Sequence, residues 1–183
     1  MSKRSNFKRR KNDAYFTPYS PAVPALLPYL PKKTDFIEPC AGNGQLIDHL
    51  TKHGHRCVGA YDIDPQRRDI TKADSRVIKN HEHCVYITNP PWTREILHPM
   101  IENLSSQRAT WLLFDADWKY TIQEKMAKRI GCKTVPELME YCAKVVAVGR
   151  VSWEENGVSG KDNTAWYLFV PYKTQTIFEP RPL

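Results

Sequence analysis

Apolar positions along the chain switch between two periodicities. From Asp35, a short apolar run at Phe36-Ile37 leads through a glycine-containing turn to an amphipathic stretch, Gln45 to His53, and then to Cys57-Val58-Gly59-Ala60-Tyr61. Compact apolar runs bounded by turn residues mark strands and the 3.6-residue spacing marks helices, so this segment reads as strand, helix, strand. A short polar stretch, Pro65 to Lys72, separates it from a strand over Cys84 to Thr88, a helix over Glu95 to Leu104 and a strand over Trp111 to Phe114. Tyr120 to Cys142 is charged and helical in pattern. Two β-rich runs follow, Val145 to Trp153 and Thr164 to Tyr172, joined by a loop containing Asn156-Gly157 and Gly160, which is the pattern of an antiparallel hairpin. The whole predicts an α/β fold: a mostly parallel sheet with helices on both faces, closed by that C-terminal hairpin.

Ahead of this pattern the chain differs in character. The first eleven residues hold Lys3, Arg4, Lys8, Arg9, Arg10 and Lys11 with Phe7 as their large apolar group, so they cannot nucleate a core. Residues 1–12 read as a basic tail, either a solvated terminus or a contact for phosphates, and 13–183 as one domain. Prolines at 18, 21, 24, 28 and 31 allow a loop and a short helix around Val23 to Leu27.

Composition narrows the function classes. The 183 residues suit one domain with a sizeable core, and no apolar run approaches the roughly 20 residues of a membrane span. A soluble, cytoplasmic protein of a bacterial or phage-infected cell is expected, a monomer or weak dimer without membrane contact. Five cysteines without a CxxC pair suggest a reducing compartment and mostly buried, inert thiols. A net charge of +7 favours an anionic partner such as nucleic acid.

In an open α/β sheet, ligands sit at the carboxyl ends of the strands, so the turns after the strands are where chemistry is sought. The first such turn reads Glu38-Pro39-Cys40-Ala41-Gly42-Asn43-Gly44, whose two glycines allow close backbone approach to a ligand. The second, Tyr61-Asp62-Ile63-Asp64-Pro65, places a carboxylate at the spacing from which an acid reaches ribose hydroxyls. Glu38, an anion just before the glycines, suits a cationic ligand better than a pyrophosphate. S-adenosylmethionine, with a sulfonium, an ammonium and no phosphate, therefore fits better than a nicotinamide dinucleotide. The third turn, Asn89-Pro90-Pro91-Trp92, is the most specific feature. Its prolines fix φ and remove two N–H donors, so the Asn89 side-chain oxygen and the Pro90 carbonyl can both accept from one NH₂ group. Trp92 can stack on a planar ring.

Glu38-Pro39-x-x-Gly42-x-Gly44, Asp62 and Asn89-Pro90-Pro91-Trp92 together resemble the S-adenosylmethionine-dependent amino-methyltransferases that make N6-methyladenine in DNA, which have a Rossmann-like fold. Tyr15-Phe16-Thr17-Pro18 is similar to the family's upstream element that packs on the methionine moiety. The resemblance spans most of residues 13 to 115. It implies Asn89, Pro90, Pro91 and Trp92 as catalytic residues. It implies a cofactor site of Tyr15, Thr17, Glu38, Cys40, Ala41, Gly42, Gly44, Asp62, Ile63, Asp74 and Asn89. Gly149-Arg150-Val151-Ser152-Trp153 and Gly160-Lys161-Asp162-Asn163 resemble late strands of small phage-borne adenine methyltransferases, which implies contacts to a flipped adenine of duplex DNA from Trp92, Trp153, Lys161 and Asn163. The chain departs from many members in lacking a separate target-recognition domain; residues 119–144, with Lys119, Lys125, Lys128, Arg129 and Lys133, are what remains for that role.

Other features carry less. His53-x-His55-x-Cys57 and His81-x-His83-Cys84 lack the spacing of structural zinc sites, and no metal is expected. No nucleophile elbow or phosphate-binding P-loop is present. Asp115-x-Asp117 suits either a helix cap or a metal and is expected near the site's rim. Three other readings stand beside the leading one: methylation of a glutamine amide, methylation of RNA adenine, and an inactive nucleic-acid-binding module.

Overall fold

The computed structural model describes residues 15–79, 83–155 and 157–182. Its strands are β1 (Asp35–Glu38), β2 (Arg56–Asp62), β3 (Thr71–Lys72), β4 (Val85–Thr88), β5 (Thr110–Asp115), β6 (Cys142–Arg150), β7 (Asn163–Phe169) and β8 (Ile177–Glu179). They form a single sheet in the order β3-β2-β1-β4-β5-β7-β6-β8. The first five are mutually parallel, β7 is antiparallel to both β5 and β6, and β8 runs parallel to β6 at the edge. This is the α/β, Rossmann-like fold of methyltransferases, mostly parallel with an antiparallel β5-β7-β6 segment.

Successive side chains of a strand point to opposite faces, and the core divides accordingly. Phe36, Ile87, Trp111, Leu113, Val146 and Trp166 pack on one face, against α1 (Ala22–Leu26) and α2 (Gln45–Lys52). Their neighbours Ile37, Tyr86, Leu112, Phe114, Val145 and Tyr167 pack on the other, against α3 (Arg94–Gln107) and α5 (Val135–Met139). In α3, buried Leu97, Met100, Ile101 and Leu104 recur at helical spacing, enough to hold the helix although Pro99 forfeits one internal hydrogen bond. Behind Phe114, the Trp118 indole donates to His98 Nε2 at 3.0 Å, and His98 Nδ1 bonds the Lys133 carbonyl at 2.9 Å.

Several expectations need correction. The helical stretch expected over Tyr120 to Cys142 breaks into α4 (Glu124–Ile130) and α5, because Gly131 takes a left-handed φ of 71° that ends the first helix, and Thr134 caps the second. Cys142 belongs to β6. The late strands lie earlier than expected, at Cys142–Arg150 and Asn163–Phe169, so Trp153 stands in the connecting loop. Of the five cysteines only Cys142 is fully buried and the other four are half-buried, yet burial pushes the thiols of Cys40 and Cys142 up to about 12. The basic segment, like His81, lies outside the described residues. No helix among the described residues is long and apolar enough to cross a membrane, and none of their His, Cys, Asp and Glu side chains gather in threes fit to hold a metal ion.

Candidate active site

The turns after β1, β2 and β4 meet at the carboxyl edge of the sheet. After β1, the chain doubles back through Gly42 (φ 52°) and Gly44 (φ 78°), a left-handed geometry that glycine adopts without penalty. A side chain at Gly42 would meet the Phe16 ring at 2.9 Å, so packing as well as φ favours glycine there; at Gly44 a side chain would displace only the mobile end of Arg67, and φ is what favours glycine. The turn after β2 is stitched to this loop: Gly42 N–H donates to Asp62 Oδ2 at 2.7 Å, Ala41 N–H to the Tyr61 carbonyl at 2.8 Å, and Gln66 N–H to the Gly42 carbonyl at 3.0 Å.

Glu38, at the end of β1, is 2% exposed, and its Oε2 has no hydrogen-bond partner among the described residues. Burial, reinforced by the neighbouring Asp62 carboxylate, pushes its pKa well above the usual carboxylate range. A buried, under-satisfied carboxyl beside a glycine loop is what a cationic group would complete, so these residues fit S-adenosylmethionine. Tyr15, Thr17, Glu38, Cys40, Ala41 and Asn89 line one small cavity of about 20 Å³, together with Phe16 of the same upstream element and with Gln45, which the sequence reading did not select. That space suits about one water molecule, so a nucleoside-sized ligand requires the Tyr15–Thr17 segment or its neighbours to shift.

After β4 comes Asn89-Pro90-Pro91-Trp92. The Asn89 Nδ2 donates to the Tyr15 carbonyl at 2.8 Å, which leaves Oδ1 as the acceptor of this amide. Trp92 meets the Trp153 ring edge-on, with centroids 5.8 Å apart, and Trp153 lies 6.3 Å from the Tyr15 ring. Three aromatic side chains from distant parts of the chain thus gather beside Asn89. Gly160 supports this cluster, since a side chain there would press on the Trp153 ring at 3.2 Å. Arg94, a residue the sequence did not single out, donates to the Trp92 carbonyl at 3.0 Å and pairs with Asp115 at 2.7 Å. Asp115 is therefore committed on both oxygens, Oδ2 to this ion pair and Oδ1 to the Asp117 N–H at 2.9 Å, at the start of the helical turn Trp118–Tyr120.

The remaining candidates lie farther out. Ile63 is exposed at the tip of the β2 turn. Asp74, beyond β3, pairs with Arg76 at 2.6 Å, which holds its carboxyl below the usual range; its neighbour Ser75 contacts Cys40 Sγ at 3.6 Å. Lys161 is exposed in the turn before β7, and Asn163 opens that strand, its carbonyl accepting from Ala116 N–H at 2.9 Å. Gln45 Nε2 donates to Glu155 Oε2 at 2.9 Å, tying the start of α2 to the loop that carries Trp153.

No protein-family model and no curated sequence matches the chain. Solved structures do match in fold. An RNA methyltransferase of Pyrococcus horikoshii, itself a provisional assignment, superposes with a TM-score of 0.60 at 16% identity, covering 94% of each chain. A dimethyladenosine transferase of Plasmodium falciparum superposes with a TM-score of 0.52 at 14% identity over 86% of this chain, which spans 62% of that enzyme's length. The 23S rRNA methyltransferase ErmE gives 0.51 at 14% identity, covering 82% of this chain and 66% of that one. At these identities the likeness is one of fold, and the fold shared is that of methyltransferases.

Proposed function

We propose that this protein transfers a methyl group from S-adenosylmethionine to the N6 amino group of adenine in DNA. The observation that carries the reading is the setting of Asn89: its Nδ2 is engaged by the Tyr15 carbonyl, so its Oδ1 is presented as an acceptor next to a carbonyl-rich Pro-Pro turn and an aromatic cluster. The cofactor, when bound, supplies an electrophilic methyl group on its sulfonium. Asn89 Oδ1 and the Pro90 carbonyl accept the two hydrogens of the target amine, holding its lone pair toward that methyl group. These hydrogen bonds strengthen as positive charge develops on the nitrogen, which favours the transition state over the ground state. Glu38, Asp62 and the glycine loop hold the cofactor by charge and by hydroxyl recognition, and exposed Ile63 offers an apolar surface to its adenine. No covalent enzyme intermediate is needed.

An adenine in a duplex must leave its stack, which costs a few kcal/mol. Stacking on Trp92 and Trp153 returns about 1–3 kcal/mol per base.

The test is incubation with labelled S-adenosylmethionine and unmethylated duplex DNA, in parallel with RNA of the same sequence and a glutamine-containing protein acceptor, followed by digestion and mass spectrometry. N6-methyldeoxyadenosine is expected. Label confined to RNA or to protein would replace the substrate, and label in none of the acceptors would remove the activity.

A further inference from the structure

Resting on the reading above, we infer that Asn103 is a positioning residue for the cofactor: by gripping two backbone carbonyls it holds the segment 74–78 as one wall of the cofactor site.

The segment needs such a holder. It leaves the sheet after the two-residue strand β3, whose register sets Tyr61 beside Thr71 and Asp62 beside Lys72, so it emerges at the carboxyl edge next to the Asp62 turn. Ala73 N–H donates to the Asp62 carbonyl at 2.9 Å, and among the described residues no helix or strand follows before β4. Ser75 and Ile78 are nevertheless buried, each 7% exposed. Buried residues outside a helix or sheet need donors for their carbonyls from elsewhere.

α3 supplies them. Asn103 Nδ2 donates to the carbonyls of both Ser75 and Ile78, each at 3.0 Å; an amide nitrogen carries two hydrogens, so one side chain serves both. Gln107, one turn farther along α3, donates from Nε2 to the Ile78 carbonyl at 3.0 Å and reaches Asn103 Oδ1 at 3.2 Å, which turns the nitrogen of the Asn103 amide toward the wall. The Ser75 side chain completes the join. Its Oγ donates to Met100 Sδ at 3.1 Å and accepts from Cys40 Sγ at 3.6 Å, and Cys40 lines the cavity beside Glu38 and Asn89. The wall therefore meets the cavity on one side and α3 on the other.

Asp74, a candidate cofactor residue, stands between these anchors: the Asp62 carbonyl fixes Ala73 before it, and Asn103 fixes Ser75 after it. Without the Asn103 amide, the Ser75 carbonyl loses its donor and the cofactor must order the wall as it binds, which weakens binding. The acceptors for the target amine are held independently, Asn89 by the Tyr15 carbonyl and Trp92 by Arg94, so methyl transfer from bound cofactor is spared.

The test compares the unaltered protein with Asn103→Leu, Asn103→Gln and Ser106→Ala, the last removing a hydroxyl that bonds the Asn103 carbonyl on the same helix. Calorimetry with S-adenosylhomocysteine gives affinity, and methylation at saturating S-adenosylmethionine gives kcat, both well below the Tm of each protein. Asn103→Leu is expected to weaken S-adenosylhomocysteine binding about three- to thirty-fold with kcat changed less than about two-fold, the scale of one or two lost hydrogen bonds. Asn103→Gln, which restores the donors, should recover most of the affinity, and Ser106→Ala should keep all of it. If Asn103→Leu does not fold, Asn103→Asp, which keeps the shape without the donors, is judged by the same values. A lowered Tm with unchanged affinity would make Asn103 purely structural and overturn the inference, as would a loss confined to kcat. Failure of the unaltered protein to bind S-adenosylhomocysteine would instead overturn the methyltransferase reading on which the inference rests.

Discussion

The guanidinium of Arg94 holds the carbonyl of Trp92 at 3.0 Å while its other arm is anchored on Asp115. The pair is about four-fifths buried, with side chains 21% and 22% exposed, so its geometry is less subject to solvent screening than a surface bridge. It ties the Asn-Pro-Pro-Trp turn to the end of β5. Arg94→Met is expected to lower kcat about ten- to hundred-fold through misplacement of the turn, with KM for the cofactor nearly unchanged and partial recovery in Arg94→Lys. Steady-state kinetics check this; an equal rise in both KM values with kcat intact would remove the positioning role.

Asn89→Ala is expected to lower turnover by roughly 10²–10³ while sparing cofactor binding, since the lost acceptor acts on the developing charge of the amine. Isothermal calorimetry beside a methylation assay separates the two effects. Simultaneous loss of both would make the Asn89 to Tyr15 bond a structural one.

Trp153→Ala should weaken nucleic-acid affinity roughly five- to hundred-fold, the equivalent of about 1–3 kcal/mol of stacking, whereas Trp153→Phe should retain most of it. Fluorescence anisotropy with a labelled duplex distinguishes these. Equal affinities for all three proteins would exclude Trp153 from the base pocket.

Glu38 titrates above the usual carboxylate range because it is buried beside Asp62. A carboxyl whose folded pKa is raised contributes stability that is present below its unfolded value of about 4.5 and is lost as pH rises through the folded value. Glu38→Gln is therefore expected to raise the Tm of the cofactor-free protein at pH 8 and to change it little at pH 4.5. Because a cation favours the ionised carboxyl, cofactor affinity of the unaltered protein should increase as pH rises above the usual carboxylate range, and that of Glu38→Gln should be weaker and flat. Thermal melts and calorimetry across pH report both.

His98 behaves in the opposite sense. Burial lowers its pKa, and its Nε2 accepts from Trp118, so the folded state holds it neutral. Its contribution is fully present above the unfolded pKa of about 6.5 and is lost as pH falls through the lower folded value. Burial depresses His49 and His55 in the same direction. The Tm should thus fall from pH 7 to pH 5, with a shallower decline in His98→Gln, whose amide oxygen can still accept from the indole. Parallel declines in the two proteins would show that His98 does not contribute.

Most of what positions the site was legible before the structure. Phe36-Ile37, Tyr86-Ile87 and Trp111 to Phe114 are short, apolar and turn-bounded, and each forms a strand; the turns after the first two carry candidate site residues. What could not be read is of three kinds. β3 and β8 are too short, at two and three residues, to show any periodicity, and they exist because a longer neighbour offers hydrogen bonds. The 120–142 stretch has helical composition throughout, and a single left-handed glycine divides it. Arg94 joins Trp92 to Asp115 across 21 residues, and Gln45 joins Glu155 across 110, separations over which one sequence shows no pairing signal.

The insertion of β7 between β5 and β6 also orders the assembly of the protein in time. β1, β2 and β4, with the glycine loop, the Asp62 turn and the Asn89 turn that follow them, lie within the first half of the chain. β6, which leads into the Trp153 loop, is joined to β5 only through β7, with Trp111 opposite Leu168 and Ala147 opposite Ala165. Such long-range pairing is slow compared with local helix formation. A nascent chain that has emerged only as far as β6 holds the residues proposed for the cofactor but lacks β7, the strand that joins β6 to the rest of the sheet.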